Sequence, residues 1–325
     1  MTSKFILTGS AVPAADMALS HTGTGRIARL LLRPMTLHES GDSNGSVSLH
    51  QLFASPRSLA VESALGIEEL AFLICRGGWP GAVGQTTAVA LQQVYDYYDA
   101  VVESDISRAD GVARNPQRVK NLMRSYARFV ASDTKMATIR ADMMVNDLDT
   151  LDYNTILSYI NALKQIFVIE DLPAWNPKLR SRSAIRTTDT RHFIDPSIAV
   201  AALGLGPQDL LNDLETMGLV LESLCVRDLR VFAGALDGSV YHYRDKTGLE
   251  CDAVIHLRNG DYGLVEVKLG GSALDSAVAN LLKLQQKIDT ERMKSPSFLM
   301  ILTGTKFGYR RDDGVYVIPI GCLGE

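Results

Sequence analysis

The chain has 325 residues, 46% of them hydrophobic and 22% charged, with 33 Lys+Arg against 37 Asp+Glu. At roughly 150 residues per domain this suggests two domains or three small ones, with enough core to fold without disulfides or a structural metal. A net charge of −4 excludes a chain that is basic throughout and leaves room for local basic faces. Cys75, Cys225, Cys251 and Cys322 lie far apart with no Cys-x-x-Cys pair, which excludes zinc-finger spacing and fits reduced thiols. The longest apolar runs, such as Phe298 to Leu302, are far short of a membrane span, and the N-terminus lacks the apolar length of a signal peptide. The expectation is a soluble, cytoplasmic protein with no membrane partner.

In chain order, residues 4 to 8 form a short apolar run ending in Gly9-Ser10, which reads as a buried strand. A second run, Ile27 to Leu32, is flanked by Arg26, Arg29 and Arg33, and residues 41 to 48 are a small, polar loop by composition. From about 58 to 175 the pattern is mainly helical. Helices are expected over 86–103, from Asn115-Pro116 through Val130, over 138–144 and over 153–165, with a strand-like run at Ile166 to Glu170. Three helices followed by a strand outline a winged helix-turn-helix. After residue 192 the order becomes a helix (209–232), three strands (240–244, 249–257, 262–269), a helix (273–289) and strands at 298–302 and 315–320. That is an α/β unit.

Two of those strands carry the strongest chemical signal. In Leu249 to Leu257, alternation puts Cys251, Ala253, Ile255 and Leu257 on one face and Glu250, Asp252 and His256 on the other. In Leu264 to Leu269, Glu266 and Lys268 point one way while Val265, Val267 and Leu269 point the other. A hairpin through Arg258-Asn-Gly-Asp261 makes the strands neighbours, so that two carboxylates and an ammonium can converge. Asp252 and Glu266 offer hard oxygen ligands to magnesium, which holds phosphate and acidifies a bound water. Lys268 can orient that water or stabilise charge on the phosphorane, and Glu222 on the preceding helix is a further carboxylate. The plainer alternative is a solvated strand face with an exposed Glu266–Lys268 pair.

At these residues the chain resembles the restriction-endonuclease-like superfamily, whose signature is an acidic residue followed by Glu/Asp-x-Lys on the next strand. Longer stretches resemble predicted bacterial and archaeal AAA-type ATPases that carry a C-terminal domain of unknown function. The carrying segments are Phe5 to Ser10, Gly25-Arg26-Ile27, Arg33-Pro-Met-Thr-Leu37 with Glu39, and Gly77-Gly-Trp-Pro80. Further on come Tyr98 to Ser107, His192-Phe-Ile-Asp-Pro196, Tyr243 to Gly248 with Asp252, and Glu266-Val-Lys268. The resemblance implies three parts: the C-terminal remnant of an AAA-type ATPase domain (1–55), a helical winged-helix-like region (56–191) and a restriction-endonuclease-like α/β domain (192–325).

It also implies that Phe5 to Ser10 is the late sensor strand of the ATPase, with Thr8 or Ser10 at the polar sensor position, and that Arg26 reaches a neighbour's nucleotide. No Gly-x-x-x-x-Gly-Lys-Ser/Thr occurs in the sequence, and phosphate needs that loop and its Lys. The chain is therefore expected to be an N-terminally truncated relative with no ATP site of its own, partnered by a separate ATPase half or by further copies of itself. The expected function is nucleic-acid binding with magnesium-dependent phosphodiester cleavage by Asp252, Glu266 and Lys268. The alternative is a non-catalytic module that binds a protein or DNA.

Other signals rank lower. Gly41-Asp-Ser-Asn-Gly45 matches a nucleophile elbow but lies in a polar loop with no strand before it. Lys120, Arg124 and Arg128 make a basic stripe suited to nucleic-acid phosphates, as do Lys178, Arg180, Arg182, Arg186 and Arg191. The first stripe can instead pair with the acidic stretch Asp96, Asp99, Glu103 and Asp105. Trp79 and Trp175 read as packing anchors, and the histidines show no zinc-binding spacing.

Overall fold

The computed structural model describes residues 6, 8–9, 30–55, 58–144, 152–176, 188–288 and 293–325. Arg26, Ser10, most of the expected first strand, and Lys178, Arg180, Arg182 and Arg186 lie outside the described residues. The elements begin with β1 (Val47–Ser48), α1 (Leu49–Ala54), β2 (Ala60–Glu62), α2 (Ile67–Arg76) and α3 (Thr87–Ala100). A π-helical turn over Val101–Asp105 joins α3 to α4 (Ile106–Arg108). Next come α5 (Pro116–Arg128), α6 (Met136–Met144), α7 (Tyr153–Gln165), α8 (Pro196–Leu203), α9 (Pro207–Asn212) and α10 (Leu214–Ala235). The remainder is β3 (Gly238–Arg244), β4 (Glu250–Leu257), β5 (Tyr262–Lys268), α11 (Leu274–Lys287), β6 (Phe298–Thr303), β7 (Phe307–Arg310), β8 (Tyr316–Pro319) and β9 (Leu323–Gly324).

Local chemistry sets the helix starts. The Asn115 side chain accepts from the N–H groups of Gln117 and Arg118, Pro116 fills the first turn, and Val119, Leu122, Met123 and Tyr126 form the buried stripe of α5. Asp195 caps α8 in the same way, again with Pro at the first position, and Gly204 ends it in the left-handed region. The single helix expected over 209–232 is two helices. Asp213 breaks it, because its carboxylate caps α10 by accepting from the N–H and the hydroxyl of Thr216 at 3.1 and 2.6 Å.

The strand expected at Ile166 to Glu170 is a turn with isolated bridges, Ile169 to Phe193 and Leu172 to Thr190. The N–H groups of Ile166 and Val168 go back to the carbonyls of Ala162 and Leu163 at the end of α7, and Phe167 sits at φ 58°. Donors spent on the helix end cannot serve a ladder.

Seven strands form one mixed sheet in the order β2-β7-β8-β6-β5-β4-β3. β3, β4 and β5 are an antiparallel meander; α11 then carries the chain over to β6, parallel to β5, with β8 parallel beyond it. Buried on both faces, β6 reads as a continuous apolar run. Val265, Val267, Met300 and Leu302 face the helical side and join one core that runs from Leu37 to Leu323. Tyr262, Leu264, Leu299 and Ile301 face α11 with Ala277, Val278, Leu281 and Leu284. The early residues belong to this body: Leu37, Val47, Leu49 and Leu52 lie in the same core, β1 pairs with β9, and β2 is the last strand of the large sheet.

A buried polar cluster ties these parts together. Arg227 of α10 lies between Asp195 and Asp228, at 2.8 and 2.7 Å, with both its own side chain and theirs almost fully buried. The remaining carboxylate capacity is filled by main-chain donors: Asp195 accepts from the N–H of Gly78 at 2.9 Å and Asp228 from that of Leu37 at 2.9 Å. Met35 donates to Gly78 O at 2.7 Å. A Cβ on Gly78 would lie 2.1 Å from Met35 O, so only glycine allows that approach. Arg227→Ala leaves two buried carboxylates without a counter-ion and is expected to lower stability by about 3–5 kcal/mol, read as a shifted midpoint in urea unfolding.

Candidate metal centre

The centre is built where β4 and β5 part. Tyr241 of β3 pairs with Val254, but Tyr243 pairs with Cys251, so Asp252 and Ala253 together oppose His242. This β-bulge re-aims the strand, as bulges do beside functional sites. It also corrects the expected alternation: Cys251 packs with Val254 on the α11 side, while Ala253 and Ile255 face the helical core. On the β5 side the pairing runs to Ala253 opposite Val265, which sets Asp252 opposite Glu266. There the ladder gives way to a side chain, and the N–H of Val267 donates to Asp252 Oδ2 at 2.7 Å.

Asp252, Glu266 and Lys268 come together. The Lys268 ammonium lies 2.8 Å from Glu266 Oε2 and 3.4 Å from Asp252 Oδ2, so both carboxylates meet on one cation. The plain alternative of a solvated strand face fails for Glu266, which is 1% exposed. Its second oxygen, Oε1, is buried with no hydrogen-bond partner. A buried carboxylate oxygen without a donor is costly, and either a proton or a cation on it would relieve that cost. Glu222 of α10 feels the charges of Asp252, Lys268 and Glu266.

Burial and the Asp252 charge push the Glu266 carboxyl up to about 8 against the pull of Lys268. Burial, then the charges of Asp252 and Glu266, hold Glu222 well above the usual carboxylate range, with Lys268 opposing. Burial works against the Lys268 charge, yet Asp252 and Glu266 hold it above the ordinary lysine value. Oxygen ligands of this kind suit magnesium or manganese. Among the described residues no three His, Cys, Asp or Glu side chains are already grouped to hold an ion. Lys268 lies between the two carboxylates, where a cation bound to both would have to replace it.

The other sequence-predicted residues do not join this centre. Lys120 lies 3.6 Å from Asp99 and 3.8 Å from Glu103, Arg128 pairs with Asp142 at 2.8 Å, and Arg124 is exposed on the same face of α5. Arg114 is buried on Asp110, and Arg191 is buried on Asp171 at 2.9 Å. Ser43 of the Gly-x-Ser-x-Gly match donates to Leu323 O at 2.7 Å, fastening a loop. Trp79 anchors on Ser197 at 2.9 Å, and Trp175 lies against Tyr262. Sequence reasoning missed the Arg227 cluster. The signal for it was present: Arg227-Asp228 interrupts an apolar helix run, where an unpaired charge would not be tolerated.

Residues 67–209 match a domain of unknown function, DUF8612, and residues 217–323 match a second one, DUF4143. No curated protein and no solved structure matches the chain. Among the described residues no helix is long and apolar enough to cross a membrane.

The Glu266 carboxyl has a pH consequence. Raised from its ordinary 4.5 to about 8 on folding, it contributes stability below pH 4.5 that is lost as pH rises through 8. Glu266→Gln removes this titration. The variant's stability advantage over wild type, measured by urea unfolding without divalent cations, is expected to be absent near pH 4 and to grow to a few kcal/mol by pH 8 to 9.

Proposed function

We propose that the chain is a relative of AAA-type ATPases whose C-terminal unit binds a divalent cation and hydrolyses nucleic-acid phosphodiester bonds. The single observation that carries this is the buried, unpartnered Oε1 of Glu266 beside Asp252, with both carboxylates turned onto one cation. Supporting it are the order helix, three antiparallel strands, helix, parallel strand over α10 to β6, which is the order of the restriction-endonuclease-like core, and the DUF4143 match, a domain often found with AAA ATPases. The proposed partners in this reading are a separate ATPase half or further copies of this chain.

In this reading Asp252 and Glu266 hold magnesium, with Glu222 as the outer carboxylate. A bound divalent cation supplies polarisation of a phosphoryl oxygen and an acidified water. Lys268, protonated and withdrawn from between the carboxylates when the ion is held, would donate to the charge that builds on the phosphorane instead of acting as the base. Lys120, Arg124 and Arg128 are the proposed backbone contacts, with the acids of α3 and the π-helical turn competing for Lys120. The domain boundaries of the sequence reading, an ATPase remnant, a winged-helix-like middle and the endonuclease-like unit, belong to the same proposal. So does a cytoplasmic location.

A second reading follows from Lys268 itself. An ammonium that already neutralises both carboxylates suits a non-catalytic module that binds a protein or DNA. Calorimetric titration of the whole chain with manganese at pH 8, beside Asp252→Ala and Glu266→Ala, separates the two. The proposal expects one manganese bound by wild type and none by either variant. Absence of binding to folded wild type would overturn it in favour of the interaction module.

A further inference from the structure

We infer that Cys251 is a positioning residue of this centre, holding the β5 main chain that presents Glu266. The inference rests on the metal-centre reading above and adds a residue that touches neither cation nor substrate. The Cys251 thiol lies 3.3 Å from the carbonyl oxygen of Val265 and 3.3 Å from that of Ala253. It is 1% exposed. Its one proton is shared between two acceptors that belong to the cross-strand pair at which the strands begin to part.

The position of those bonds is what matters. The Val265 carbonyl belongs to the peptide group just before Glu266, and the Val267 N–H to the peptide group just after it. Cys251 takes the first and the Asp252 carboxylate takes the second, at 2.7 Å. Two consecutive side chains of β4 therefore clamp both peptides that flank Glu266. The bulge makes this possible, since it sends Cys251 to the α11 side and leaves Asp252 and Ala253 together opposite His242.

The two halves of the clamp differ once a cation arrives. Asp252 then divides its oxygens between the ion and Val267, whereas Cys251 keeps its bonds. Outer groups that orient ligands in this way typically change metal affinity by about 10–100-fold when lost.

Manganese titration of Cys251→Val and Cys251→Ser, each beside its thermal unfolding curve, tests the inference. Val retains apolar volume and has no donor; Ser retains a donor and loses packing. The expected affinities are about tenfold weaker for Val and within about threefold of wild type for Ser, while thermal stability falls more for Ser. Packing alone would rank both measurements the same way. Manganese affinity in Cys251→Val equal to wild type, or a loss in Ser as large as in Val, overturns the role. If Val does not fold, Cys251→Ala takes its place with the same expected loss. Wild type that binds no manganese overturns the metal reading itself, a different result from variants that bind as wild type does.

Discussion

Arg227 is the residue through which distant parts of the chain are held to one another. Its guanidinium is buried between two carboxylates, and those carboxylates in turn receive the main-chain N–H groups of Leu37 and Gly78. Removing one partner of a buried charge pair is strongly destabilising, so this cluster fixes three segments relative to α10: the stretch through Met35 and Leu37, the glycine turn after α2, and the start of α8.

The same helix carries Glu222 toward a second buried cluster. In each cluster two carboxylates share one cation, Asp195 and Asp228 on Arg227 and Asp252 and Glu266 on Lys268. The Glu222 carboxyl feels the charges of Asp252, Glu266 and Lys268, and one oxygen of Glu266 has no donor. Each network holds one buried polar atom without a hydrogen-bond partner, Arg227 Nη2 in the first and Glu266 Oε1 in the second, and only in the second is it an oxygen that a cation could take. The clamp by Cys251 and Asp252 shows how an unsaturated carboxylate is kept in place, because the peptides on both sides of Glu266 are held by β4 side chains.

Much of this was legible in the sequence. The alternation of Val265, Glu266, Val267 and Lys268 reports the faces of β5 correctly, and the order of elements from α10 to β6 follows from apolar runs and their breaks. The bulge was not legible. A strict period of two fits Leu249 to Leu257 equally well with or without an extra residue, and only the partner strand shows that Tyr243 reaches Cys251 instead of Asp252. The break at Asp213 was hidden because the apolar positions on either side keep helical spacing; what stops the helix is one carboxylate turning to cap the next. The wing-like run failed for a related reason, since β-branched residues favour a strand but the end of α7 claims their donors. The basic stripe of α5 was visible, yet composition could not show that Lys120 and Arg128 face acids on neighbouring elements.

The central claim is that Asp252 and Glu266 form a cation site from which Lys268 withdraws. Its most direct test is a crystal soaked with manganese and measured at the manganese absorption edge. The account predicts one anomalous peak bonded to Asp252 and to Oε1 of Glu266, with the Lys268 ammonium displaced from between the two carboxylates. No peak there, with Lys268 still bridging the carboxylates at 2.8 and 3.4 Å, would contradict it.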